Sequence, residues 1–91
     1  MDELELVNEL KKYIYKTYLK GLEDFDEVKK YWFDKNHNEF VVRMTTKATL
    51  KIKLDTSEVF LSLFNSGHLS RLLCKNDLKV IMMVEKILKN K

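Results

Sequence analysis

A chain of 91 residues has room for one domain with a modest core, and none for a separate catalytic domain. Its apolar fraction of 45% is ordinary for a globular protein, and the formal charge of +3 is too small to name a partner. The longest apolar run, residues 80–84, falls far short of the roughly 18 residues that a membrane span needs. The charge is nonetheless uneven. Residues 1–39 hold ten acids and seven bases, whereas residues 40–91 hold four acids and ten bases. Such asymmetry marks either two halves that attract each other or a contact with an acidic partner.

Taken in chain order, Asp2 is placed to cap a helix running to about Leu19. Glu3, Glu5 and Glu9 lie toward its start, and Lys11, Lys12, Lys16 and Lys20 toward its end, as the helix dipole favours. Leu6, Leu10, Tyr13 and Thr17, flanked by Val7, Ile14 and Tyr18, form its apolar stripe. Gly21 stands where a left-handed C-terminal residue belongs. Asp24 and Glu27 have capping-box spacing and suggest a short helical turn over 24–27. Three strong β-formers, Tyr31, Trp32 and Phe33, then predict a strand over about 29–34.

The stretch from Phe40 to Leu54 alternates with period two. Phe40, Val42 and Met44, then Leu50, Ile52 and Leu54, share an apolar face; Arg43, Lys51 and Lys53 share the other. Keeping these faces separate requires an odd-numbered loop, and Thr46, Lys47 and Ala48 fit it, with Thr45 opposite Thr49 and Arg43 opposite Lys51. Pairing Phe33 with Phe40 sets Trp32 beside Val41 and Lys30 opposite Arg43.

Beyond the hairpin, Asp55 and Glu58 have capping-box spacing for a helix over 56–65, broken by the sequence Asn65-Ser66-Gly67. Leu69, Leu72 and Leu73 mark a short helix, and Asp77 can cap a last one ending near Lys89. The expected fold is a single α+β domain over residues 1–91. It has an N-terminal helix, a two- or three-stranded antiparallel meander, and two or three C-terminal helices on one face of the sheet.

The outward face of this meander carries the sharpest functional signal. Lys30, Trp32, Arg43, Lys47, Lys51 and Lys53 combine cations with one aromatic ring, and cations track a phosphate backbone while an aromatic face stacks a base. The blander reading is a solvated charged surface with a covered tryptophan. Residues 57–73 have the outline of a helix-turn-helix, with His68 opening the second helix and Ser70 and Arg71 toward a groove. Their first helix is too apolar all round, and two ordinary packed helices explain them as well.

Signs of catalysis are weak. Cys74 is the single cysteine, which excludes an internal disulfide and suits a reducing, intracellular, cytoplasmic setting; its expected state is a buried thiol. His68 and Cys74, six residues apart, point in different directions on one helix. One cysteine and two scattered histidines give no zinc spacing, and two glycines 46 residues apart make no phosphate loop. No cofactor and no metal are expected. The acidic N-terminus, Met1 to Leu6, lacks the apolar core of a secretory signal.

The last helix is apolar around its circumference over residues 80–84, so it either threads the core or forms a seam with a second copy or partner through Val80, Met83, Val84 and Ile87. The expected function is therefore a non-catalytic regulator that docks on a macromolecule, above all a protein, as a homodimer. Inhibitors carried by phages or mobile elements are often of this size. The alternative is a nucleic-acid-binding domain using the basic face, and a remoter one is an acidic mimic of DNA.

Overall fold

The computed structural model describes residues 2–19, 26–65 and 68–90, with the backbone alone over 63–65 and 68–74. Helix α1 (Glu3–Tyr18) precedes five strands, β1 (Val28–Asp34), β2 (Glu39–Met44), β3 (Ala48–Lys53), β4 (Glu58–Asn65) and β5 (His68–Asn76), and helix α2 (Leu78–Lys89) follows them. The strands form one antiparallel sheet in sequence order, β1-β2-β3-β4-β5. Each strand pairs with the next, so the sheet is a simple meander.

Helix α1 begins with a complete capping box. The Asp2 carboxylate accepts from the Glu5 amide at 2.8 Å, and the Glu5 carboxylate accepts from the Asp2 amide at 3.4 Å. Leu6, Val7, Leu10 and Ile14 recur at helical spacing and are buried. They meet the inner residues of the sheet, Phe40, Val42, Met44, Ala48, Leu50, Ile52, Val59 and Leu61, and the inner residues of α2, Val80, Val84 and Ile87. Both helices therefore cover the same face of the sheet. The expected turn over 24–27 and the role of Gly21 fall largely outside the described residues; Asp26 and Glu27 are not helical.

Two expected helices are strands. Residues 58–65 pair with β3, with Leu50 opposite Leu61 and Ile52 opposite Val59, and residues 68–76 pair with β4. The helix-turn-helix reading of 57–73 falls with them. A run in which nearly every residue is apolar has no diagnostic period. A helix of that composition needs cover on all sides, which a chain of this size cannot supply. A strand needs cover on one, and Val59 and Leu61 get it while Phe60 and Ser62 stay half-buried. Among the described residues the elements are thus one N-terminal helix, five strands and one C-terminal helix.

The three-residue loop of the first predicted hairpin is present but lies one residue earlier, at Thr45, Thr46 and Lys47. Arg43 consequently faces Thr49, and Lys51 faces Val41. The expected opposition of Arg43 and Lys51 does not occur. The faces stay unmixed because the loop is still odd-numbered. The Lys47 amide donates to the Met44 carbonyl at 3.2 Å, and Lys47 takes φ 70°, the left-handed residue that such a loop requires. Asn38 and Ser57 hold the same position in their own turns, at φ 51° and 61°.

Helix α2 has one buried side. Val80, Val84 and Ile87 have no exposed surface in the single chain, and Met83 packs half-buried against the same core. The residues expected to form a seam with another molecule are thereby used within this one. Leu78 and Met82 point outward instead, 72% and 68% exposed. Among the described residues no helix is long and apolar enough to cross a membrane.

Asp77 joins the two helices. Its Oδ1 caps α2, accepting from the Lys79 amide at 2.9 Å, and its Oδ2 accepts from the hydroxyls of Tyr13 at 2.9 Å and Tyr18 at 2.5 Å. Burial works to raise the Asp77 carboxyl, but the bonds from Tyr18, Tyr13 and the amides of Val80 and Lys79 outweigh it and hold the group below its ordinary value of 3.8. The Tyr18 hydroxyl is pushed up to about 12, first by its bond to Asp77. A depressed carboxyl stabilises the fold above its unfolded pKa, and that contribution is lost as pH falls through the folded value. Asp77→Asn should therefore cost about 1 kcal/mol or more near neutral pH. The gap to the wild type, read from urea unfolding, should close as pH falls below about 4, the ordinary carboxylate range. A gap that is constant with pH would contradict this role.

Candidate functional site

Neither described helix lies on the outer face of the sheet. Cross-strand pairing arranges its side chains in three parallel rows. The first contains Lys30, Arg43, Thr49 and Ser62; the second Trp32, Val41, Lys51 and Phe60; the third Asp34, Glu39, Lys53 and Glu58. Directly opposed residues share a face, so each row is a line of neighbours across four strands. The face is therefore polarised, basic and hydroxylic at one end and mainly acidic at the other.

This placement confirms part of the sequence expectation. Phe33 pairs with Phe40, Trp32 with Val41 and Lys30 with Arg43. Lys30, Arg43, Lys47 and Lys51 are exposed, and Trp32 is 36% exposed. Lys53 separates from the group. It is half-buried, with Glu39 and Glu58 as its register partners on the neighbouring strands. Glu58 was invisible as a neighbour while residues 56–65 read as a helix.

Trp32 has two cations close to its ring. Lys30 Nζ is 5.1 Å from the ring centroid and Arg43 Cζ is 5.8 Å from it. Both distances are within the range of a cation–π contact. Val41, on the same outer face, is only 3% exposed although it lies outside the main core cluster. Its row neighbours, Trp32 and Lys51, flank it on either side. Among the described residues no carboxylate lies within 4.0 Å of Lys30, Arg43, Lys47 or Lys51.

At the basic end the sheet edge folds into a pocket of about 390 Å³, lined by Lys29, Arg43, Met44, Thr45, Lys47 and Thr49. Lys29 reaches it from a bulge in β1, where the register slips between Val28 and Lys30. Sequence pattern alone did not single out Lys29, because a bulge leaves no signature in alternation.

The turn that bears Lys47 is anchored from below. Thr45 and Glu27 exchange two bonds, the Thr45 amide to the Glu27 carbonyl at 2.9 Å and the Glu27 amide to the Thr45 hydroxyl at 3.3 Å. The Thr46 hydroxyl donates to Asp26 Oδ1. Asp26 is buried, and α1 holds it twice, through the Tyr15 hydroxyl at 2.6 Å on its Oδ2 and Lys11 Nζ at 2.7 Å on its carbonyl. Burial, and then the bond to Asp26, push the Tyr15 hydroxyl far up, so it stays a donor.

At the opposite end, donor atoms of Asp34, His37 and Glu39 lie within 4.8 Å of one another and are of a type that can hold a cation. The turn itself accounts for two of them. Asp34 Oδ1 accepts from the amides of Asn36 and His37, and Oδ2 meets His37 Nδ1 at 2.8 Å. The bond to His37 holds the Asp34 carboxyl below its ordinary value. The side chains of His68, Ser70, Arg71 and Cys74, weighed above for a groove contact or a thiol site, are outside the described residues.

No protein-family model matches the chain, and neither a curated protein nor a solved structure matches it. The residues of this face therefore carry the functional reading by themselves.

The opposition of Lys30 and Arg43 places like charges across a strand pair, which costs stability when nothing neutralises them. Lys30→Gln should therefore raise the unfolding free energy read from urea titration above that of the wild type, by on the order of 0.5 kcal/mol. Equal stability of Lys30→Gln and the wild type would show that Lys30 and Arg43 do not repel.

Proposed function

We propose that this chain is a non-catalytic binding protein that docks a single-stranded nucleic acid on the outer face of its sheet. The observation that carries the reading is Trp32 with Lys30 and Arg43 beside its ring, on a face that neither described helix covers and whose nearby cations have no carboxylate partner among the described residues. Phosphates would follow Lys30, Arg43, Lys47 and Lys51, and a base would stack on Trp32. An exposed cation–π contact is worth about 0.5–1 kcal/mol. A base stacked on an aromatic ring contributes about 1–3 kcal/mol. An incoming base can therefore displace a lysine from the ring, and the displaced ammonium remains beside the backbone it pairs with. The acidic row of Asp34, Glu39 and Glu58 would repel the same strand and confine it to the basic end.

A protein partner is the second reading, and Leu78 with Met82 is the observation that favours it. These two exposed side chains lie one turn apart on α2, away from the basic face. Two side chains make a small patch, well below the several hundred Å² that mark a stable interface.

Trp32 is the only tryptophan, so its fluorescence reports on the site alone. A short oligopyrimidine should change that emission at low salt. With four cations engaged, log affinity should fall with log salt at a slope of about −3, from about −0.7 per phosphate for single strands. Arg43→Ala and Lys51→Ala should each weaken binding and flatten the slope. No change of emission at low salt, with both variants silent, would end this reading.

A further inference from the structure

The pocket at the basic end is more strongly charged than an internal phosphodiester requires. Lys29, Arg43 and Lys47 surround one space of about 390 Å³, and the hydroxyl-bearing Thr45 and Thr49 complete its lining. An internal phosphate of a nucleic acid carries one negative charge. A terminal phosphate monoester carries between one and two at neutral pH, and it offers three strong acceptor oxygens. Three cations and two threonines in one place match the second group better than the first.

Two structural features show that the cluster is maintained at a cost. The β1 bulge directs Lys29 out of the regular ladder toward this end. Lys47 holds a left-handed backbone conformation that is unfavourable for a residue with a Cβ. The bonds of Thr45 and Thr46 to Glu27 and Asp26, backed by Tyr15 and Lys11, fix the turn, so the pocket is formed before any ligand arrives. Arg43 belongs both to the pocket and to the Trp32 stack, 5.8 Å from that ring. The base platform and the pocket are therefore adjacent.

We infer that the pocket formed by Lys29, Arg43, Lys47, Thr45 and Thr49 seats the terminal phosphate of a single-stranded nucleic acid whose end base stacks on Trp32. This rests on the nucleic-acid reading above and makes the protein an end binder rather than a binder along the strand.

The test uses the full chain and one oligopyrimidine prepared with a 5′-phosphate, with a 3′-phosphate, or with hydroxyls at both ends, followed by Trp32 fluorescence and calorimetry. One phosphorylated form should bind about tenfold more tightly than the hydroxyl form, a difference that two charge-assisted hydrogen bonds readily supply. Lys29→Gln should erase most of that preference while leaving affinity for the hydroxyl form within about twofold, whereas Lys47→Gln should erase the preference and weaken the hydroxyl form as well. Lys51→Gln should weaken all forms alike and keep the preference. Circular dichroism of each variant checks that it is folded. Equal binding of all three oligonucleotides would overturn the end-binding inference and leave the nucleic-acid reading standing. A preference that survives the Lys29→Gln, Lys47→Gln double variant would overturn the pocket as its seat. Binding of none of them would overturn both readings.

Discussion

The whole arrangement depends on putting both helices on one face of a five-stranded sheet. Period-two alternation sends Phe40, Val42, Leu50, Ile52, Val59 and Leu61 to that face, where α1 and α2 bury them. The hydrophobic effect is then satisfied on one side only. The other side has to live with solvent or with a partner, and its residues are not fixed by core packing. Val41, on that side, is nonetheless 3% exposed, with Trp32 and Lys51 as its register partners.

What occupies that free face is ordered along the strands. Short turns lock the register of neighbouring strands, so residues of like character line up across four of them. One end collects cations and hydroxyls; the other collects carboxylates around Lys53. A purely solvated surface gains from interspersed charges, since opposite charges in facing positions stabilise and like charges cost. Segregation into a basic end and an acidic end forgoes that gain. The buried bonds of Tyr15 and Lys11 to Asp26 extend the influence of α1 to the turn bearing Lys47, so the shape of the basic end is tied to the packing of the core.

Much of this was legible in the sequence where local rules act alone. Asp2 and Asp77 announced the two helix starts, and the alternation from Phe40 to Ile52 announced two strands with separate faces. The pairing of Phe33 with Phe40 followed from face matching. The failures came where tertiary context decides. Residues 58–65 lack a diagnostic period, so a strand read as a helix, and β5 was misread in its wake. Glu58 was consequently taken as part of a capping box, and its place opposite Lys53 was missed. The bulge at Lys29 and the one-residue displacement of the Thr45–Lys47 turn depend on backbone strain and on bonds to Asp26 and Glu27, which no side-chain pattern encodes. For α2 the pattern left two alternatives open, a helix threading the core or a seam with another molecule. Its apolar circumference was real, but Val80, Val84 and Ile87 serve the core of their own chain.

The central claim is that the outer face of the sheet, at its basic end, is where a ligand strand meets the protein. The most direct measurement is amide chemical-shift mapping of the labelled protein titrated with a short single-stranded oligonucleotide. Shifts should concentrate at Lys29, Lys30, Trp32, Arg43, Lys47, Thr49 and Lys51, with the Trp32 indole N–H among the largest, while Asp34, Glu39, Glu58 and the outward side of α2 stay still. Shifts centred on Leu78 and Met82, or on the acidic row, would contradict the account.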